Sequence, residues 1–199
     1  MENRRKFIKK SASAVAFGLV ADWASAMPSS DKLGEILPQR QLTRDGQKVT
    51  SFCLGGYHLG ITENPKEAEK MIERSMELGV RFFDNARRYH DGRSEEYMGR
   101  FLTPKYRDEI FLMSKAPAKT GKGVQQQLDE TLKALKTDYL DLWQIHTLTT
   151  PEDVDNRLRD GVLDVFLEAK EKGKTRYIGF TGHQNPKTHL YFLSKLDEL

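Results

Sequence analysis

Between residues 51 and 182, five apolar runs of strand length, SFCLGG, VRFFD, EIFLMSK, LDLWQIH and RYIGFTG, alternate with segments whose apolar residues recur at helical spacing. This alternation constrains the chain more than any other feature. Successive strands can lie parallel only if a crossover, usually a helix, carries the chain back across the sheet. The expected fold is therefore α/β with a parallel sheet.

The intervening segments carry their own punctuation. Asn64-Pro65-Lys66-Glu67 has the pattern of a capping box with proline at the first helical position. Ala68, Met71, Ile72 and Met76 then recur on one face, and Gly79 supplies the stop. Ser94 is the expected cap of a short helix, EEYMGRFL, ending before Pro104. Val124, Leu128, Leu132 and Leu135 form a third stripe, and Val162, Leu163, Phe166, Leu167 and Ala169 a fourth, closed by Gly173. Asn185-Pro186 opens a last helix, while residues 39–49 read as a hairpin turning at Asp45-Gly46, where glycine accepts positive φ.

A parallel sheet with helical crossovers is either doubly wound or a (β/α)8 barrel. A doubly wound nucleotide fold would show a glycine-rich phosphate turn after its first strand, and Gly55-Gly56 alone does not make one. Polar residues favour the barrel. Asp84, Lys115 and His146 stand at the carboxyl ends of consecutive strands, where barrel enzymes place their chemistry.

The first 26 residues read as a leader. MENRRKFIKK is basic, SASAVAFGLVA is a short, weakly apolar run, and Ala24-Ser25-Ala26 is a cleavage pattern. The run is about half of the ~20 residues a membrane span needs, so no stable membrane insertion is expected. Arg4-Arg5 resembles the twin-arginine export signal, which implies a folded, exported, periplasmic protein. The leader also carries a net charge of +3, the whole formal charge of the 199-residue chain. The remaining 173 residues are close to neutral, which removes the case for a nucleic-acid partner. Cys53 is the only cysteine, so no internal disulfide can form.

Each polar strand-end residue has a bland reading: Asp84 as a turn cap, Lys115 as a solvated strand end, His146 as a satisfied core histidine, Tyr89 as a loop aromatic. Together they form a proton-transfer unit. An ammonium favours the ionised form of a neighbouring phenol, a carboxylate holds the ammonium, and an imidazole orients a carbonyl or relays a proton. Such a set suits carbonyl reduction. The histidines, 58, 90, 146, 183 and 189, contain no H-x-H or H-x-x-x-H pair, so a metal-dependent hydrolase is disfavoured and no metal is expected.

Over residues 33 to 196 the sequence resembles the aldo-keto reductases. The resemblance rests on LTRDGQKVTSFCLGGYHLG, FFDNARRY followed by SEEYMGRFL, FLMSKAP, DYLDLWQIH and RYIGFTG, in that order. It implies that Asp84, Tyr89, Lys115 and His146 are the catalytic tetrad, with Tyr89 the proton donor in reduction of an aldehyde or ketone. It implies NADPH as cofactor, with NADH as the alternative, and a small-molecule carbonyl compound as substrate. Thr181 falls where the family commonly has a serine that contacts the nicotinamide carboxamide. Gly182 stands in place of the asparagine that usually follows. Gly56 and Tyr57 match the region that lines the cofactor and substrate pocket.

A (β/α)8 barrel usually takes about 250 residues. Residues 27–199 are therefore expected to be a partial barrel of about five strand–helix units, a piece of a longer reductase or one that another chain completes. Open sheet edges would favour self-association. A non-catalytic binding or regulatory protein on the same scaffold is the alternative.

Overall fold

The computed structural model describes residues 29–196, so the leader lies outside the described residues. Its centre is a five-stranded sheet, all parallel, whose spatial order is the order in the sequence. Two hairpins precede it: β1 (Ser29–Asp31) with β2 (Gly34–Ile36), then β3 (Gln39–Gln41) with β4 (Lys48–Thr50). The second turns at Asp45-Gly46 with Gly46 at φ 94°, as its sequence predicts; the first carries no apolar run that would mark its strands in the sequence.

The sheet strands are β5 (Cys53–Gly55), β6 (Phe82–Asp84), β7 (Phe111–Ala116), β8 (Leu140–Ile145) and β9 (Thr175–Phe180). Between them run α1 (Gly56–Ile61) and α2 (Pro65–Glu77), then α3 (Arg93–Phe101) and α4 (Thr103–Tyr106), then α5 (Gly121–Leu135), then α6 (Pro151–Arg159) and α7 (Val162–Glu171). The last helix is α8 (Pro186–Leu196). The fold is thus α/β, a parallel sheet alternating with helices in the manner of a partial (β/α) barrel. No helix among the described residues is long and apolar enough to cross a membrane.

Several local expectations need correction. SFCLGG gives only a three-residue strand, because Gly56 already begins α1. Ser94 is not a cap: α3 starts at Arg93 behind left-handed Gly92, and the buried Ser94 hydroxyl donates to the Gly56 carbonyl at 2.7 Å. Asn64 does cap α2 by accepting from the Lys66 amide at 3.1 Å, but Glu67 accepts from Thr62 Oγ1 instead of closing the box. Met71 and Leu167 stay exposed beside buried Ile72 and Phe166, since each lies at the margin of its apolar stripe. The segment between β8 and β9 folds as two helices, not one, with Thr150 capping the first by accepting from the Asp153 amide.

Strand register decides which residues share a face. Phe83, Leu112, Ser114, Ala116, Trp143 and Ile145 face the helices; Trp143 stacks on Phe166 of α7 with ring centroids 3.8 Å apart. The opposite, concave face carries Phe82 and Asp84 of β6, Phe111, Met113 and Lys115 of β7, and Leu142 and Gln144 of β8. The hairpins close the amino-terminal end of the strands. Arg81 at the start of β6 pairs with Asp31 at 2.6 Å, Arg176 of β9 donates to Gln47 at 2.7 Å, and Tyr177 donates to Asp45 at 2.9 Å. Asp141 anchors the same end, receiving the Leu112 amide, Arg107 and Arg176. The carboxyl end remains open.

Candidate active site at the carboxyl ends of the strands

Asp84 ends β6, Lys115 is the penultimate residue of β7, and His146 follows the last residue of β8. Their even spacing along parallel strands puts all three on the concave face. Lys115 is buried, 6% exposed, and its ammonium is the hub. It donates to Asp84 Oδ1, to the Asn85 carbonyl at 2.8 Å and to the Tyr89 hydroxyl at 3.3 Å. The His146 ring meets the Tyr89 ring edge to face with centroids 5.9 Å apart. Burial, reinforced by the positive charges of Lys115 and Arg88, pushes the His146 imidazole down to about 4. It is neutral over the physiological range, and its Nδ1 is buried without a hydrogen-bond partner among the described residues.

Tyr89 reaches this position because its loop is forced. His90, Asp91 and Gly92 are consecutive left-handed residues, with φ of 51°, 56° and 93°, a conformation that non-glycine residues resist. Two contacts hold it. The His90 ring lies over Gly60, where an added Cβ would sit 2.7 Å from His90 Cδ2. The Arg87 guanidinium occupies the space that a side chain at Gly92 would need. Arg87 is itself clamped by Glu95 at 3.2 Å and Glu130 at 3.1 Å, while its amide donates to the Lys115 carbonyl. Fully buried Glu95 also accepts from Ser114 at 2.7 Å and Thr131 at 2.9 Å. His146 is followed by left-handed Thr147, whose amide donates to Thr181 Oγ1 at 3.1 Å and so ties the end of β8 to the end of β9.

The four residues read as a tetrad therefore converge, and Thr181 lies on the same rim. Tyr57 is half exposed, its ring edge-on to Tyr89 at 5.5 Å and tilted against His90 at 4.8 Å. Gly56 and Gly182 both sit where packing leaves no room for a side chain. A Cβ at Gly56 would meet the Asp84 carbonyl at 2.7 Å, and one at Gly182 would meet the Leu148 carbonyl at 2.6 Å as well as the His189 ring. An asparagine at 182 would require that carbonyl to move. Above the tetrad opens a cleft of about 540 Å³ lined by Tyr57, Arg88, Tyr89, His90, His146, Thr147 and His183. Among the described residues no group of three or more His, Cys, Asp or Glu side chains is arranged to hold a metal ion.

Sequence reasoning missed Asn85, Arg87, Arg88 and Glu95. Asn85 holds the lysine through its backbone carbonyl, which side-chain identity does not advertise. For the arginines a signal existed: two adjacent guanidinium groups before Tyr89, with Glu95 eight residues after the first, ask for a partner.

The donor set fits the nicotinamide end of a dinucleotide. Thr181 Oγ1 accepts one bond from Thr147 and keeps its own proton to donate to an amide oxygen. The half-exposed Tyr57 ring offers an aromatic face beside Tyr89.

Comparison with known proteins identifies relatives of the chain and its family. The chain is 28% identical over 155 residues to the uncharacterized oxidoreductase YqkF of Bacillus subtilis, covering 72% of this chain and 48% of that protein. It is 27% identical over 159 residues to the aldo-keto reductase yakc [NADP(+)] of Schizosaccharomyces pombe, covering 73% and 45%. The chain thus spans about half the length of the curated relatives it matches. In fold it is similar to the thermostable aldo-keto reductase Tm1743, solved with the inhibitor epalrestat, at a TM-score of 0.69, 24% identity and coverage of 79% of this chain and 58% of that one. Residues 51–189 match the Aldo/keto reductase family, from the first sheet strand into the last helix, and the chain belongs to that family.

Proposed function

We propose that this chain carries the catalytic strands of an NADPH-dependent oxidoreductase that reduces an aldehyde or ketone to an alcohol. One observation carries the reading: a buried lysine bonded at once to a carboxylate and to a tyrosine hydroxyl, beside a neutral histidine. Family membership and a relative named for NADP(+) support the cofactor assignment.

In this reading Tyr89 donates its proton to the carbonyl oxygen. Lys115 stabilises the phenolate left behind, and Asp84 with the Asn85 carbonyl keeps the ammonium aimed at it. Neutral His146 steers the carbonyl oxygen towards Tyr89, and its low proton affinity keeps it from competing for the tyrosine proton. Thr181, and less directly Tyr57, would hold the nicotinamide end. When bound there, a reduced nicotinamide would supply the hydride. Export by the twin-arginine route completes the proposal and rests on Arg4-Arg5.

The experiment is Tyr89→Phe, which removes one hydroxyl and leaves the ring packing. Reduction of 4-nitrobenzaldehyde, followed by NADPH consumption, should fall by about 10²- to 10⁴-fold, the range for loss of a general acid. Unchanged circular dichroism would exclude misfolding as the cause. Both are measured in a chain completed to the full barrel: turnover of the variant at the wild-type rate would refute the role of Tyr89, and a wild type that consumes no NADPH would refute the activity.

A further inference from the structure

Two adjacent arginines precede Tyr89 and have opposite fates. Arg87 is fully engaged by Glu95 and Glu130 beneath the loop. Arg88 is exposed, lines the cleft, and makes no hydrogen bond or ion pair with any described residue. It is the only permanently charged side chain on the cleft wall, and the other lining residues, Tyr57, Tyr89, His90, His146, Thr147 and His183, include no carboxylate. Nor is its position loose. The backbone is pinned on both sides, by the Arg87 amide on the Lys115 carbonyl and the Tyr89 amide on the Ala86 carbonyl, both at 3.0 Å. Its charge is felt at the reaction centre, since it is among the cations that depress protonation of His146.

From this geometry we propose that Arg88 is the specificity-determining residue of the cleft and that the substrate is a carbonyl compound bearing a carboxylate. The inference rests on the reductase reading above. A guanidinium presents a planar fork of donors that matches a carboxylate in a bidentate pair. The cleft floor already provides for the carbonyl: Tyr89 and His146 face it, and Lys115 is consumed by Asp84, Asn85 and Tyr89. The unused charge is on the wall, one residue from the proton donor. A substrate whose carboxylate engages Arg88 is thereby oriented with its carbonyl end towards Tyr89. A neutral analogue of the same shape leaves the guanidinium to water and loses that orientation.

The test compares 4-formylbenzoate with its methyl ester, which keeps the aldehyde and ring and removes the charge. Initial rates with NADPH and calorimetric binding would be measured for the full chain, for Arg88→Gln, and for Arg44→Gln, which removes an exposed charge from the hairpin at the opposite end of the strands. Wild type should favour the acid over the ester by about tenfold or more in kcat/KM and in affinity. Arg88→Gln should bring the ratio close to one, and Arg44→Gln should leave it as in wild type. A wild-type ratio near one, or the same ratio in Arg88→Gln as in wild type, overturns the proposal and leaves the reductase reading standing if both probes are reduced. Arg88-dependent binding of the acid without reduction of either probe supports the anion site and refutes the reductase reading instead. Equal loss of preference in Arg44→Gln would assign the effect to overall charge and overturn the role of Arg88.

Discussion

Replacing Glu95 by alanine tests whether the buried network under the Tyr89 loop is a structural keystone. The carboxylate is fully buried and accepts from Ser114, Thr131 and Arg87 at 2.7, 2.9 and 3.2 Å. Removing one partner of a buried pair typically costs about 3 to 5 kcal/mol, because the other charge is left without compensation. Here Arg87 is partly exposed and keeps Glu130 at 3.1 Å, which lowers the figure, while two stranded hydroxyls raise it. The expected loss is about 2 to 4 kcal/mol, a large share of the ~5 to 15 kcal/mol by which domains are stable. Glu95→Gln retains an acceptor oxygen and should cost only about 1 to 2 kcal/mol.

Urea unfolding at neutral pH reads both values from the midpoint and slope. The pH dependence gives an independent check. Burial, partly offset by the three donors, raises the proton affinity of Glu95 above that of an ordinary carboxylate. Between the ordinary glutamate value of 4.5 and the raised folded value, the folded state binds more protons than the unfolded state. Titration of Glu95 therefore makes stability fall as pH rises through that window, a component separate from the truncation cost read at neutral pH, and Glu95→Gln should abolish it. A cost below about 1 kcal/mol for Glu95→Ala, or equal costs for alanine and glutamine, would refute the network argument.

Two further outcomes are expected. The His146 imidazole, followed by NMR, should titrate near pH 4; because its ordinary value is 6.5, the unfolded state binds more protons between the two, so its contribution makes stability rise with pH across that window and level off above it. A midpoint near 6.5 would contradict the buried, cation-flanked setting. Changing Arg4 and Arg5 together to lysine keeps the charge but removes the guanidinium pair, so cell fractionation should find the protein retained with its leader uncut; unaltered export would point to the general secretory route.

Strand–helix alternation, the hairpin at Asp45-Gly46 and the strand-end placement of Asp84, Lys115 and His146 are all legible in the sequence, because each follows from local period, turn chemistry and the regular rise of a strand. The same locality is why Ser94 misleads. Its neighbours look like a helix start, yet its hydroxyl is claimed by the Gly56 carbonyl, 38 residues away. Gly56 and Gly182 stand out in the sequence as small residues near the strand ends; that carbonyls from other segments leave no room for a side chain at either is decided by the fold. The three left-handed residues after Tyr89, His90-Asp91-Gly92, are of types that tolerate positive φ, but it is the His90–Gly60 contact and the Arg87–Glu95 clamp that fix the run in place. So too with the two arginines: adjacent and identical in the sequence, they differ in that α3 and α5 bring carboxylates to Arg87, while no described residue pairs with Arg88. The sequence by itself determined which residue types stand at the strand ends. Only the tertiary structure decided which of them are spent on holding the site and which are left free to face a ligand, because that depends on long-range partners that no local pattern encodes.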